Sequence, residues 1–166
     1  MNQLTRRTAI ASVVISLGAL AACSSGVPST VKIGVAQPMS GDLAELGKDM
    51  LQGVQLAVNE LNKQGFKVDG KVVTLEVVSG DDKANSEEAV KVAQQMVDAG
   101  VVAVVGHLNS GQSIVAAPIY AAKGIAQLAI STNPKFTELG HATTLRLVAN
   151  DNLQARAVGS YAATQI

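Results

Sequence analysis

Val101-Val102-Ala103-Val104-Val105-Gly106-His107-Leu108-Asn109-Ser110 is the stretch that decides the fold. Gly100 precedes five consecutive apolar residues, most of them β-branched, and a short polar turn follows them. A run this short with no alternation reads as a strand buried on both faces, the central strand of a parallel sheet. Helical spacing resumes at about Ser110 and continues to Lys123, so strand passes to helix across a short loop.

The same alternation extends in both directions. Val31 to Ala36 reads as a strand and Pro38 to Asp42 as a loop. From about Ala44 to Lys63, Met50, Val54, Ala57, Val58 and Leu61 recur at helical spacing, with Gly65 just past the end. Val72 to Val78 reads as the next strand, with a break at Gly80-Asp81-Asp82. A helix capped by Asn85 or Ser86 follows, with Glu87 and Glu88 in its first turn and Gly100 closing it. Downstream, Ile125 to Ile130 and Thr143 to Val148 read as strands, separated by the polar loop Ser131 to Pro134. The expected class is α/β, a parallel sheet with helices on both faces. Ligands of such folds bind beyond the carboxyl ends of the strands. That directs attention to Pro38–Gly47, Gly80–Asn85, Gly106–Ser110 and Ser131–Pro134.

The first 30 residues read as an address. Arg6 and Arg7 precede a charge-free apolar run, Ala9 to Ala22, which is shorter than the ~20 residues a membrane-spanning helix needs. Residues 1–22 are therefore expected to be a cleaved signal peptide, with Sec export favoured over twin-arginine export. Leu20-Ala21-Ala22-Cys23 resembles the bacterial lipobox, which implies lipidation of Cys23 and a membrane anchor. Residues 23–30 are expected to form a short lipidated tether. Cys23 is the only cysteine, so no disulfide within the chain and no cysteine-based metal site is expected.

Basic and acidic residues balance at 13 each, and loss of Arg6 and Arg7 leaves the mature chain at net −2. Nothing favours nucleic acid or a polybasic membrane surface. Gly41 to Asp49 approaches a phosphate-binding loop but has one spacer too many, and Asp49 stands where a magnesium-binding hydroxyl is required. No G-x-S-x-G elbow accompanies His107, which reads as a structural donor to a neighbouring carbonyl. Asp81 and Asp82 read as a turn rather than a metal pair. Neither an enzyme nor a cofactor is expected.

Binding is another matter. Ser110 opens a helix directly after a strand, so its hydroxyl and the first free N–H groups of that helix suit a carboxylate. Ser131 and Thr132 offer hydroxyls and N–H donors at the end of the adjacent strand. Together they predict a neutral, donor-rich pocket that needs no arginine.

Val31-Lys-Ile-Gly-Val-Ala-Gln-Pro-Met-Ser-Gly41, Gly47-x-x-x-x-x-Gly53, Val104-Val-Gly-His-Leu-Asn-Ser110 and Ser131-Thr-Asn-Pro134, in this order, resemble the periplasmic Leu/Ile/Val-binding protein family. The resemblance runs from Val31 to the end of the chain. It implies the first lobe of a two-lobed type I binding fold, spanning residues 31–148. It also implies that Ser110 and Thr132 hold the α-carboxylate of an amino acid, with main-chain contacts from Ser131. At the family position often filled by an aromatic, Leu46 implies an aliphatic pocket wall. Ala84 and Asn109 stand where some members carry a disulfide, and the segment before Ser131 is one residue shorter than in many relatives.

Arg146-x-x-x-x-Asp151-x-x-Gln154 resembles the hinge crossing, so residues 149–166 are expected to begin a second lobe and the sequence reads as truncated. The second lobe of the family supplies the acidic partner of the ligand ammonium, so this lobe alone is expected to bind amino acids weakly or not at all. The implied function is capture of amino acids, branched-chain or similarly apolar, for an ABC permease with cytoplasmic ATPases. The alternative is a sensing or regulatory protein of the same fold that binds a short amide, urea or another small carboxylate.

Overall fold

The computed structural model describes residues 26–166. The expected signal peptide and Cys23 lie outside them.

Strand β1 (Thr30–Gln37) leads through a single 3-10 turn (Gly41–Leu43) into helix α1 (Ala44–Gln64). Gly65 ends α1 in the left-handed conformation, φ 71°, which lets the Phe66 N–H reach back to the Leu61 carbonyl at 3.1 Å. A two-residue hairpin, β2 (Lys67–Val68) and β3 (Lys71–Val72), precedes β4 (Thr74–Asp81). The chain continues through α2 (Ser86–Ala99), β5 (Ala103–Gly106), α3 (Ser110–Ala121), β6 (Ala126–Ala129), the single turn α4 (Lys135–Glu138), β7 (Thr144–Arg146) and α5 (Asp151–Gln165).

Five strands form one parallel sheet in the order β4-β1-β5-β6-β7, with β5 at its centre. Helices cover both faces. On one face, α2 and α3 enclose Ala36, Val92, Met96, Val101, Val104 and Tyr120. On the other, α1 lays Val54 and Val58 against Val31, Leu75 and Val77. The Asn62 carboxamide of α1 accepts from the Leu75 N–H at 2.8 Å and donates to the Leu75 carbonyl at 2.9 Å, occupying main-chain groups on the outer strand β4.

Two expectations are corrected. Gly80 does not break its strand: it pairs with Ala36, and β4 runs on to Asp81. The glycine serves packing instead, because a Cβ there would stand 2.7 Å from a methyl of Val92 and 2.9 Å from the Met96 methyl. The run Val101–Val105 is closed on one face and only partly covered on the other, where Ala103 and Val105 are half-buried. Val102 is 52% exposed, and with Val31, Ile33, Val54, Leu61 and Val105 it lines an open apolar groove of about 770 Å³ beside α1.

The strand order reverses at β1, which sends one connection to β4 and the next across to β5 and β6. A crevice therefore opens beyond the carboxyl ends of β1, β5 and β6, and the candidate site lies there.

Candidate functional site

The N-terminus of α3 forms one half of the site. Asn109 occupies the cap position with extended backbone, yet its side chain makes no capping hydrogen bond. Its Oδ1 is buried without a partner among the described residues. Asn85, at the same position of α2, accepts from the N–H groups of Glu87 and Glu88 at 2.8 and 3.1 Å. The first-turn donors of α3 are thus left for an acceptor from outside, and the positive end of the helix dipole favours an anion there.

The loop after β6 forms the other half. The Asn133 N–H donates to Ser110 Oγ at 3.3 Å, so the loop and the helix start are in direct contact. Ser110 keeps its own hydroxyl proton to donate. Thr132 is half-buried, and its carbonyl accepts from the Asp151 N–H of α5 at 2.8 Å. Ser131 faces the other way. It is 1% exposed, and its hydroxyl donates to Ser113 Oγ, which itself donates to the His107 and Asn109 carbonyls at 3.1 Å. Of the expected pocket hydroxyls, Ser110 and Thr132 stand at the crevice, whereas that of Ser131 is turned into the core.

An arginine underlies this loop, where the sequence reading foresaw none. Arg146 ends β7 in register with Ala129 of β6. One guanidinium nitrogen donates to the Ser131 carbonyl and, at 3.0 Å, to the Asn133 carbonyl. The other donates to the Pro134 carbonyl at 3.3 Å and to Thr137 Oγ1 at 2.7 Å. The group also lies 5.8 Å from the centroid of the buried Phe136 ring. The sequence gives a weak signal for this, an arginine at the end of a strand next to a polar loop, but its partners are set by strand order.

Leu46 is 56% exposed. It lines a shallow depression of about 290 Å³ with Asp49, Met50, Leu108 and Ile130. Leu108 and Ile130 each stand two residues before a site hydroxyl, those of Ser110 and Thr132, so the depression adjoins the crevice.

Beneath the site lies a buried polar column. His107 is fully buried and its Nδ1 stands 2.6 Å from Asp82 Oδ2, also fully buried. Its Nε2 lies 3.3 Å from the Tyr120 hydroxyl. The expected structural role stands, but the acceptor is a carboxylate rather than a carbonyl. Burial, reinforced by the Asp82 charge, pushes the Tyr120 phenol above its ordinary pKa. Asp82 Oδ1 also accepts from the Ala84 N–H at 2.9 Å, and Asp81 Oδ1 accepts from Met39 and Lys83 at 2.8 and 2.9 Å. Burial alone would raise the Asp81 pKa. Hydrogen bonds from the Ser40 side chain and the Met39 and Lys83 N–H groups outweigh it and hold the carboxyl below the usual aspartate value. Among the described residues no three His, Cys, Asp or Glu are grouped to hold a metal ion. No helix among them is long and apolar enough to cross a membrane.

A parallel sheet covered by helices, with free backbone and hydroxyl donors at its strand ends, has the architecture of an α/β lobe of the class that takes ligands beyond the strand ends. The sequence profile of the periplasmic binding protein family matches residues 30–166, and the chain belongs to that family, one of binding proteins rather than enzymes. It is 37% identical over 150 residues to Leu/Ile/Val-binding protein homolog 2 of Brucella abortus, covering 90% of this chain and 40% of that protein. The fold is similar to the branched-chain amino acid transporter substrate-binding protein LivJ of Streptococcus pneumoniae, solved with isoleucine. The TM-score is 0.74 at 32% identity, over 82% of this chain and 38% of that one. An ABC transporter substrate-binding protein of Desulfitobacterium hafniense, solved with Leu, superposes with TM-score 0.69 at 38% identity, over 82% and 39% of the two chains. The 166 residues thus span about 40% of the length of these relatives.

Proposed function

We propose that residues 31–148 form the carboxylate-gripping lobe of an extracytoplasmic receptor that captures branched-chain amino acids for an ABC importer. In this reading Ser110 Oγ, the first-turn N–H groups of α3, and the hydroxyl and N–H of Thr132 hold the ligand carboxylate. Ser131 contributes through main chain, and Leu46 forms part of an aliphatic wall. Residues 149–166 cross the hinge and begin a second lobe, which supplies the ammonium partner and closes over the side chain. Closure of two lobes, with expulsion of water from around the ligand, provides the affinity. Export by the signal peptide places the receptor outside the cytoplasm, and acylation of Cys23 tethers it to a membrane beside its permease and ATPases.

The single observation that carries the proposal is the contact between Ser110 and Asn133 beside an uncapped helix start, which gathers donors from two neighbouring strand ends around one point. The test is calorimetry of leucine binding to the complete natural polypeptide and its Ser110→Ala variant. Removal of one hydrogen bond to a charged group is worth about 1.5–3 kcal/mol, so the variant is expected to bind about 10–150-fold more weakly with an unchanged melting temperature. Equal affinities for leucine would refute the assignment.

A further inference from the structure

Arg146 sits on the far side of the binding loop, where it cannot itself touch a ligand in the crevice while its two terminal nitrogens serve Ser131, Asn133, Pro134 and Thr137. Three of these four acceptors are main-chain carbonyls of one loop, and no carboxylate among the described residues pairs with the guanidinium. A half-buried arginine that keeps its whole charge and directs it at peptide oxygens is an unusual use of the residue, because its planar fork matches carboxylates best.

The geometry of the peptide gives that use a purpose. The Ser131 carbonyl and the Thr132 N–H belong to one planar unit, which is trans, so the two groups point in opposite directions. When Arg146 fixes the carbonyl, it also fixes the N–H, aimed away from itself. No described residue accepts a main-chain hydrogen bond from that N–H. The positive charge on the carbonyl side also polarises the peptide and strengthens its N–H as a donor. The loop is held from the core side as well, by Ser131 Oγ on Ser113.

We propose that Arg146 is a positioning residue for carboxylate recognition: acting through the Ser131–Thr132 peptide, it aims and strengthens the Thr132 N–H that receives the ligand anion. The neutral pocket therefore has a cation behind it, one peptide removed from the ligand. This rests on the carboxylate-site reading given above.

The test compares leucine with leucinamide, which lacks the negative charge, on the complete natural polypeptide and on its Ser110→Ala, Arg146→Gln, Arg146→Lys and Thr137→Val variants. Wild type is expected to favour leucine. In Arg146→Gln the affinity for leucine is expected to fall about 10–50-fold, the worth of a charge-assisted hydrogen bond, while that for leucinamide changes little, so the preference collapses. Arg146→Lys restores charge without the fork and is expected to recover only part of it. Amide exchange of residues 131–137 should quicken in both variants. If Arg146→Gln unfolds, Thr137→Val keeps the guanidinium and removes one exposed acceptor, and is expected to lower the preference about two- to fivefold. A lowered melting temperature with the leucine-to-leucinamide ratio unchanged would overturn the proposal, as would an unchanged ratio in Thr137→Val. If Ser110→Ala lowers that ratio in the same experiment, the carboxylate site itself stands. A wild type that binds both probes equally would instead remove the reading on which the proposal rests.

Discussion

Asn85 and Asn109 stand at the same position of two successive helices, and the difference between them singles out the proposed site. Asn85 spends its side chain on the helix start, whereas Asn109 leaves those donors open. The sequence shows an asparagine before each helix and no means of telling the two apart, since the outcome depends on what packs around each carboxamide. Glycines pose the same problem. Gly47 and Gly53 both lie in α1 and both belong to the motif read from the sequence, but a Cβ on Gly47 would stand 2.0 Å from the Pro38 carbonyl oxygen, whereas one on Gly53 meets nothing within 4 Å. Gly47 lets the helix start press against the loop after β1. Gly47→Ala is therefore expected to destabilise the chain by about 2 kcal/mol or more, because main chain must move to relieve the clash. Gly53→Ala is expected to raise stability by about 0.5–1 kcal/mol through helix propensity alone. Denaturant unfolding of the two variants checks both signs. A tolerated Gly47→Ala would show that this close approach is not required.

At the scale of elements, short apolar runs located the five strands of the sheet, and helical spacing located the longer helices between them. The hairpin Lys67–Val72 and the single turn Lys135–Glu138 were not legible. Each of their short elements holds a single apolar residue beside charged or polar ones, so no apolar run marks them. The polar column was equally hidden. Asp82, His107 and Tyr120 come from three different segments and meet only because β4 and β5 flank β1 and α3 packs over them. The last helix behaves differently from the rest. Asn150 caps α5 by accepting from the Leu153 N–H at 2.9 Å, and the Asp151 N–H ties it to Thr132, but every residue of the helix is exposed. Fifteen residues without a packed face are marginal as a helix in water. In this chain, amides of residues 155–165 are expected to exchange with deuterium within seconds, while those of β1 and β5 remain protected far longer. Protection of α5 equal to that of β5 would show that the helix is held by contacts of its own.

For the molecule as a whole, the face of the sheet under α2 and α3 is closed, while the face beside α1 leaves an apolar groove open. A continuous apolar run cannot reveal this, because residues buried by a neighbour close in sequence and residues awaiting a more distant cover look alike. Fold class was legible, and so was the placement of Ser110 and Thr132 at neighbouring strand ends. The inward turn of Ser131 and the arginine behind the loop were not, since both follow from side-chain packing across strands distant in sequence. The most direct test of the carboxylate-gripping lobe is a crystal structure of the complete natural polypeptide with leucine. The expected result has the leucine carboxylate oxygens about 2.7–3.2 Å from Ser110 Oγ and from the Thr132 N–H or hydroxyl. A carboxylate held elsewhere, with water against Ser110 and Thr132, would contradict it.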